Sequence, residues 1–178
     1  ELGKDVFIGC VSLDTFTAKR GNPKGYTVEN GILYNKNVTT LIQYPPSNIS
    51  SVYTLPSSLS EIEDNALNDC KYINEFELNS SGRYFSIEDG ILYDYHMTKL
   101  IKYPLGKGGS DFTVPDTVTE IASGAFKHSD ISGIINLPSS LSKIGKFAFE
   151  DCPNISSFNT NNNNYFTTED SVLYSKDK

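Results

Sequence analysis

The stretch Leu55–Phe76, LPSSLSEIEDNALNDCKYINEF, returns in register at Leu137–Phe158 as LPSSLSKIGKFAFEDCPNISSF. The offset is 82 throughout, carrying Pro56 onto Pro138, Ile62 onto Ile144, Cys70 onto Cys152 and Ile73 onto Ile155. A third copy opens at Val114 with VPDTVTEIASGAF, 23 residues before the copy at Leu137. Self-similarity at such a spacing marks a stacked-repeat architecture, in which each copy is one supersecondary unit.

A second module alternates with the first. Tyr26–Pro45, YTVENGILYNKNVTTLIQYP, recurs at Phe85–Pro104 as FSIEDGILYDYHMTKLIKYP with an offset of 59, and a third copy, FTTEDSVLYSKDK, starts at Phe166. Each complete copy holds two β-branched and aromatic runs, such as Ile91-Leu92-Tyr93 and Lys99–Tyr103, which read as a β-hairpin. The Asn30-Gly31 and Asp89-Gly90 pairs precede the first run and read as tight-turn residues supplying positive φ, outside the hairpin tip. The offset of 59 also carries Leu55-Pro56 onto Val114-Pro115, so hairpin and repeat travel as a larger unit. Coils lacking a cysteine enter at Ile49–Leu55 and Ile131–Leu137. A short strand is expected before each Leu/Val-Pro, since proline ends a strand where no ladder donor is needed. A helical or 3-10 turn is expected at the Ala-Leu and Ala-Phe positions that follow. A lone coil has too few apolar positions to offset the entropy of ordering its backbone, so the copies must stack.

Composition agrees with one sizeable domain over 1–178: the chain is 38% hydrophobic and 21% charged. A repeat half at Cys10–Phe16 and an interrupted hairpin at Phe166–Lys178 read as a fragment of a longer array. A net charge of −7 argues against a nucleic-acid partner or an anionic membrane surface. No apolar run is long enough to cross a bilayer, and ELGKDVFIGC lacks the pattern of a signal peptide, leaving an intracellular chain or one trimmed of its leader.

Cys10, Cys70 and Cys152 each open the pattern C-x2-[IL]-x2-F, and so read as small apolar core groups. Ser129 takes the equivalent place between Cys70 and Cys152, which puts those two about 10 Å apart at the usual strand spacing. A disulfide, with its Cα atoms at most about 7 Å apart, cannot bridge them.

The consensus [LV]-P-x-x-[VL]-[ST]-x-I-x-x-x-A-[FL]-x-x-C-x-x-[IL]-x-x-[FI] resembles the BspA-like class of leucine-rich repeats, whose period of about 20–29 residues accommodates 23. The [DN]-G-[IV]-L-Y…T-x-L-I-x-Y-P segment is similar to the insertion that accompanies those repeats. The chain departs from the pattern at Leu67, Ser129 and Ser171, which affects packing and turn geometry. The fold expected is a β-rich α/β solenoid, a right-handed leucine-rich-repeat superhelix with β-hairpin insertions and short helical or 3-10 turns. The resemblance further implies a microbial surface or secreted protein, non-enzymatic and adhesive, with a protein or glycan partner such as extracellular matrix or a host cell surface.

Catalytic and ligand signals are sparse. His96 lies in a polar hairpin tip and His128 in a turn, and both read as solvated; neither belongs to a zinc ligand set. Gly106–Ser110 reads as a flexible connector. Glu61, Glu63 and Asp64 form the densest acidic group and support a distant carbohydrate-enzyme alternative, against the plainer reading of a solvated repeat position that Glu120 and Lys143 share. Asn159–Asn164 with Glu169 and Asp170 reads as a polar loop, since its spacing fits no calcium site. Asn37, Asn48, Asn79 and Asn154 each open an N-x-[ST] triplet, which matters where secreted chains are glycosylated. No cofactor is expected. What remains is a continuous outward sheet face, with Asn74, Glu75, Glu77, Ser156, Ser157 and Asn159 as the candidate protein-binding residues. Its small polar character suits weak or multivalent contact, and also a passive stalk that presents another domain.

Overall fold

The computed structural model describes residues 2–3, 5–18, 25–79, 83–160 and 162–176. The first hairpin module supplies β1 (Tyr26–Glu29), β2 (Ile32–Asn35) and β3 (Thr40–Gln43), and the coils after it β4 (Val52–Leu55), β5 (Glu61–Ile62) and β6 (Glu75–Leu78). The second module gives β7 (Phe85–Glu88), β8 (Ile91–Asp94) and β9 (Lys99–Lys102), followed by β10 (Ser110–Thr113), β11 (Glu120–Ile121), β12 (Ser132–Asn136), β13 (Lys143–Ile144) and β14 (Ile155–Asn159). The third contributes β15 (Phe166–Glu169) and β16 (Val172–Ser175).

Two sets of parallel ladders make the solenoid. Strands preceding the prolines and their counterparts pair as β4–β6 and as β10–β12–β14, while the short strands at the repeat isoleucine pair as β3–β5 and as β9–β11–β13. The period appears directly in the register: Glu120 faces Lys143, and Asn136 faces Asn159. Parallel neighbours need a long return connection, and here the rest of each coil supplies it. The turn after each proline is closed locally, with Leu59, Val118 and Leu141 N–H groups donating to the carbonyls of Pro56, Pro115 and Pro138.

The hairpin module is a three-stranded meander, which corrects the two-strand reading. Asn30-Gly31 and Asp89-Gly90 are themselves the tips of the β1–β2 and β7–β8 hairpins, where Glu29 faces Ile32 and Glu88 faces Ile91. Their φ values, 50° and 79° in the first copy and 49° and 70° in the second, are those of a two-residue turn that matches strand twist. The glycines also meet the preceding coil: a Cβ on Gly90 would lie 2.7 Å from Glu75 Cβ, and the Gly31 and Gly90 carbonyls accept the N–H groups of Phe16 and Phe76 at 2.8 and 2.9 Å. Each tip is thereby fastened to the coil before it. The third copy places Asp170-Ser171 in the same left-handed conformation, which is unfavourable for serine. The expected second hairpin, β8–β9, is present, and its loop is tied by Asp94, whose carboxylate accepts Lys99 N–H at 2.6 Å and the Thr98 hydroxyl at 2.8 Å.

The described residues contain no α-helix; the Ala-Leu and Ala-Phe positions close as single turns, with Ala66 N–H on the Glu63 carbonyl at 3.0 Å and Ala125 N–H on Ala122 at 3.2 Å. The one 3-10 turn among the described residues, Leu105–Lys107, lies at the start of the Gly106–Ser110 stretch read as a flexible connector. Gly106 N–H donates to the Ile73 carbonyl at 2.8 Å, and a Cβ there would meet Asn74 and the Lys71 and Ile73 carbonyls, so the connector is a pin between coils.

The core forms two clusters that meet at β8, where Leu92 faces one and Ile91 and Tyr93 the other. In the second cluster aromatic rings stack from coil to coil: Tyr103 on Phe126 at 5.2 Å between centroids, and Phe126 on Phe149 at 4.9 Å. Leu67 replaces that phenylalanine in the first cluster, where Tyr44 instead packs against Tyr53 at 5.0 Å. Cys70 is buried and Cys152 half-buried, both as free thiols; Cys10, expected in the core, is exposed because its coil has a packed neighbour on one side only among the described residues. Ser129 fills the same slot fully buried, its hydroxyl accepting Ile131 N–H at 3.2 Å.

Among the described residues one buried group is a cation. Lys102 is 4% exposed, and its ammonium donates to the Gly124 carbonyl at 2.7 Å. Gln43 holds the equivalent position of the first unit, its amide donating to the carbonyls of Tyr44 and Ala66. Burial pushes the Lys102 amine down from 10.5 to about 8. A folded-state value below the unfolded one means that the group opposes folding while charged, so its contribution improves as pH rises from about 8 toward 10.5. Lys102→Gln is expected to stabilise the chain at pH 7 by about 1–3 kcal/mol, and to flatten the rise in stability between about pH 8 and 9.5. Urea unfolding across that range measures both effects, and a variant less stable than the parent at pH 7 would contradict the assignment.

Candidate interaction surface

The outward side of the proline-preceding strands is built by alternation. Tyr53, Leu55, Phe76, Ile135 and Phe158 turn inward, leaving Thr54, Glu75 and Glu77 exposed on one sheet and Thr113 on the other. Of the six candidate residues, Asn74, Glu75, Glu77 and Ser156 are exposed, while Ser157 and Asn159 are half-buried. A register shift between Gly133 and Ile134 opposite β14 lets Ile155 and Phe158 both pack inward, with Ser156 and Ser157 between them.

Side chains at one repeat position join hands along this side. Asn159 donates its amide to Asn136 at 3.0 Å, Asn136 donates to Thr113 at 3.2 Å, and on the neighbouring sheet Thr54 donates to Glu77 at 3.3 Å. The expected continuous face is interrupted. The β4–β6 and β10–β12–β14 ladders are separate sheets, because the second hairpin module and the pinned turn at Leu105–Lys107 enter between them. A shallow depression of about 280 Å³ beside Asp116, Ser139 and Asn162 continues the polar ladder on the second sheet.

A second ladder runs along the short strands. Glu120 sits between Lys99 at 2.8 Å and Lys143 at 3.1 Å. Partial burial would raise its carboxyl, and the two ammonium groups more than reverse that, holding it below the usual carboxylate range. Glu61, at the same repeat position, accepts the Thr40 hydroxyl at 3.3 Å. Glu61, Glu63 and Asp64 are all exposed and line one wall of an open cleft of about 430 Å³, with Lys99 and Lys143 on the other side.

A third ladder was not legible in the sequence. Asp69, His128 and Asp151 occupy one repeat position, each in the left-handed conformation with φ of 60°, 61° and 51°. His128 Nδ1 lies 2.6 Å from Asp69 Oδ1 and its Nε2 3.1 Å from Asp151 Oδ2, so one imidazole links three coils. The expected solvated histidine is thus exposed but bound at both nitrogens. His96 is exposed at its hairpin tip, edge-on to the Tyr95 ring at 5.1 Å. Asn163, taken as part of a polar loop, is buried; its amide donates to the carbonyls of Pro138 and Leu141 and its oxygen accepts the N–H groups of Tyr165 and Phe166, which fixes the third hairpin to the coil before it. Among the described residues no group of three or more His, Cys, Asp or Glu side chains is arranged to hold a metal ion. Burial raises the Cys70 thiol to about 12, far from a reactive thiolate.

The model of the BspA type leucine-rich repeat region matches six copies, over residues 1–104 and 108–178. No curated protein matches the sequence. Among solved structures, the pneumococcal vaccine antigen PcpA is similar at 26% identity and a TM-score of 0.57, over 67% of this chain and 28% of that one. A leucine-rich cell surface protein from Faecalibacterium prausnitzii A2-165 is 22% identical with a TM-score of 0.57, over 65% and 34% of the two chains. A leucine-rich repeat protein from Eubacterium ventriosum ATCC 27560 is 20% identical with a TM-score of 0.52, over 64% and 37%. The chain therefore spans between about a quarter and two fifths of the length of these structures.

The Glu120 ladder yields a stability test. A carboxyl held below its unfolded value contributes stability that is present above the unfolded value and is lost as pH falls through the folded one. Because these ion pairs are partly screened by solvent, Glu120→Gln is expected to cost about 0.5–1 kcal/mol at pH 7, and progressively less as pH falls below the ordinary carboxylate range. Chemical unfolding at pH 7 and pH 3 reads the difference; an equal effect at both would remove the ion-pair account.

Proposed function

The chain belongs to the BspA-type leucine-rich repeat family, and on that premise we propose that it is a non-enzymatic cell-surface or secreted protein that binds a protein or glycan partner. The observation that carries this reading is a chain consumed by stacked repeats, whose outward strand residues form ordered polar ladders. Extended strand faces of solenoids suit macromolecular partners. A pneumococcal vaccine antigen and a leucine-rich cell surface protein among its structural neighbours support a surface location. Asn74, Glu75, Glu77, Ser156, Ser157 and Asn159 stand as candidate contacts, in two patches.

A passive spacer is the second reading. It is favoured by the absence of aromatic or arginine side chains from the outward positions of β4, β6, β10 and β14, which are the residues that usually dominate strong interfaces.

Surface-immobilised extracellular-matrix proteins and a glycan array, probed with the multimerised chain, separate the two. Saturable binding that falls by about tenfold in Glu77→Lys or Asn136→Lys is expected. No retention on either surface would favour the spacer, and binding indifferent to both substitutions would move the site off this face.

A further inference from the structure

The short-strand ladder is interrupted once, and the interruption leaves a cavity. Thr40, Glu61, Lys99, Glu120 and Lys143 share one repeat position and pair as β3–β5 and as β9–β11–β13. Strands β5 and β9 do not pair, because β8 takes that edge of β9. Strand β5 is thus the edge of its sheet, beside the open cleft of about 430 Å³.

The cleft has unlike walls. On the side away from β5, Glu120 lies between Lys99 and Lys143, so its carboxylate is already engaged and that wall keeps one positive charge in excess, which steers a cationic group to the opposite wall. Lys102, at the base, is engaged with the Gly124 carbonyl. The β5 side carries Glu61 and Asp64, and among the described residues no cationic side chain lies within ion-pair distance of either. Between the walls lie Ile62, Leu67, Phe85 and Ile101. A carboxylate rim above an aliphatic surface matches a long cationic side chain, which can lay its methylenes on apolar surface and keep its charged end at the rim. An exposed strand edge accepts an extended main chain. An acidic segment would meet uncompensated carboxylates, and a sugar would find no open aromatic platform.

We propose that this cleft binds a lysine or arginine side chain carried on an extended segment of a protein partner. The segment's main chain lies along the open edge of β5 and its cationic group meets Glu61 and Asp64. This deepens the binding reading above by naming a partner chemistry, and it uses a site separate from the outward face.

The test is a heteronuclear NMR titration with three extended peptides, Ser-Val-Arg-Val-Ser and its norleucine and glutamate replacements, a method that reads millimolar affinity. The arginine peptide is expected to shift the amides of residues 60–67 and 99–102, with affinity falling about tenfold in the exposed double variant Glu61→Gln/Asp64→Asn. The control Glu169→Gln/Asp170→Asn, on the third hairpin, is expected to bind like the parent, and so is Asn136→Lys. Loss of outward-face binding alone therefore leaves this result standing. Equal shifts from all three peptides, no shifts from any, or equal weakening by the Glu169/Asp170 control would overturn the proposal.

Discussion

Parallel pairing between coils about 23 residues apart is the interaction on which the rest of this structure depends. Each strand is only two to five residues long and has no stability of its own, so every backbone group it commits must be met by the coil before or after. Once two coils are in register, identical positions face one another, and the side chains become columns. Apolar columns make the core, as in the Tyr103, Phe126 and Phe149 stack. Polar columns settle on the surface, where Asn159, Asn136 and Thr113 bond in sequence and Glu120 joins two lysines.

The hairpin modules complicate that one-dimensional scheme in a useful way. Their first tips rest on the preceding coil through the Gly31 and Gly90 carbonyls, so an insertion that could have hung free is fastened. The same modules break the ladders. They split the outward face into two patches and leave β5 without a parallel neighbour on one side. Surface variety in a repeat protein thus arises less from the repeats, which tend toward sameness, than from the places where their stacking is interrupted.

The repeat itself was legible in the sequence because stacking forces one residue type on one position: leucine, proline, isoleucine and alanine recur where a coil must bury or turn. The strands before the prolines and the second hairpin of each module followed from the same logic. The first strand of each meander, Tyr26–Glu29 or Phe85–Glu88, did not: its apolar/polar alternation is a strand signal, but the Asn-Gly and Asp-Gly pairs that follow read as turns outside the hairpin and not as its tip. The Asp69, His128 and Asp151 ladder was hidden for another reason. Its register is set by a left-handed backbone position, where aspartate and histidine look unrelated by type. An αL position repeated at the coil spacing was the signal that could have found it. Asn163 and Lys102 escaped because polar residues are read as solvated unless a pairing partner can be seen, and their partners are main-chain carbonyls, which no sequence displays.

The most direct measurement of coil stacking is the separation of positions two coils apart. With Cys10, Cys70 and Cys152 replaced by serine, the residue Ser129 already places in that core slot, spin labels at Thr113 and Asn159 flank the middle strand of the β10–β12–β14 ladder. Two strand spacings predict a backbone separation of about 10 Å and strong dipolar broadening of the doubly labelled spectrum. A spectrum equal to the sum of the two singly labelled ones would show that these coils do not lie one upon the next.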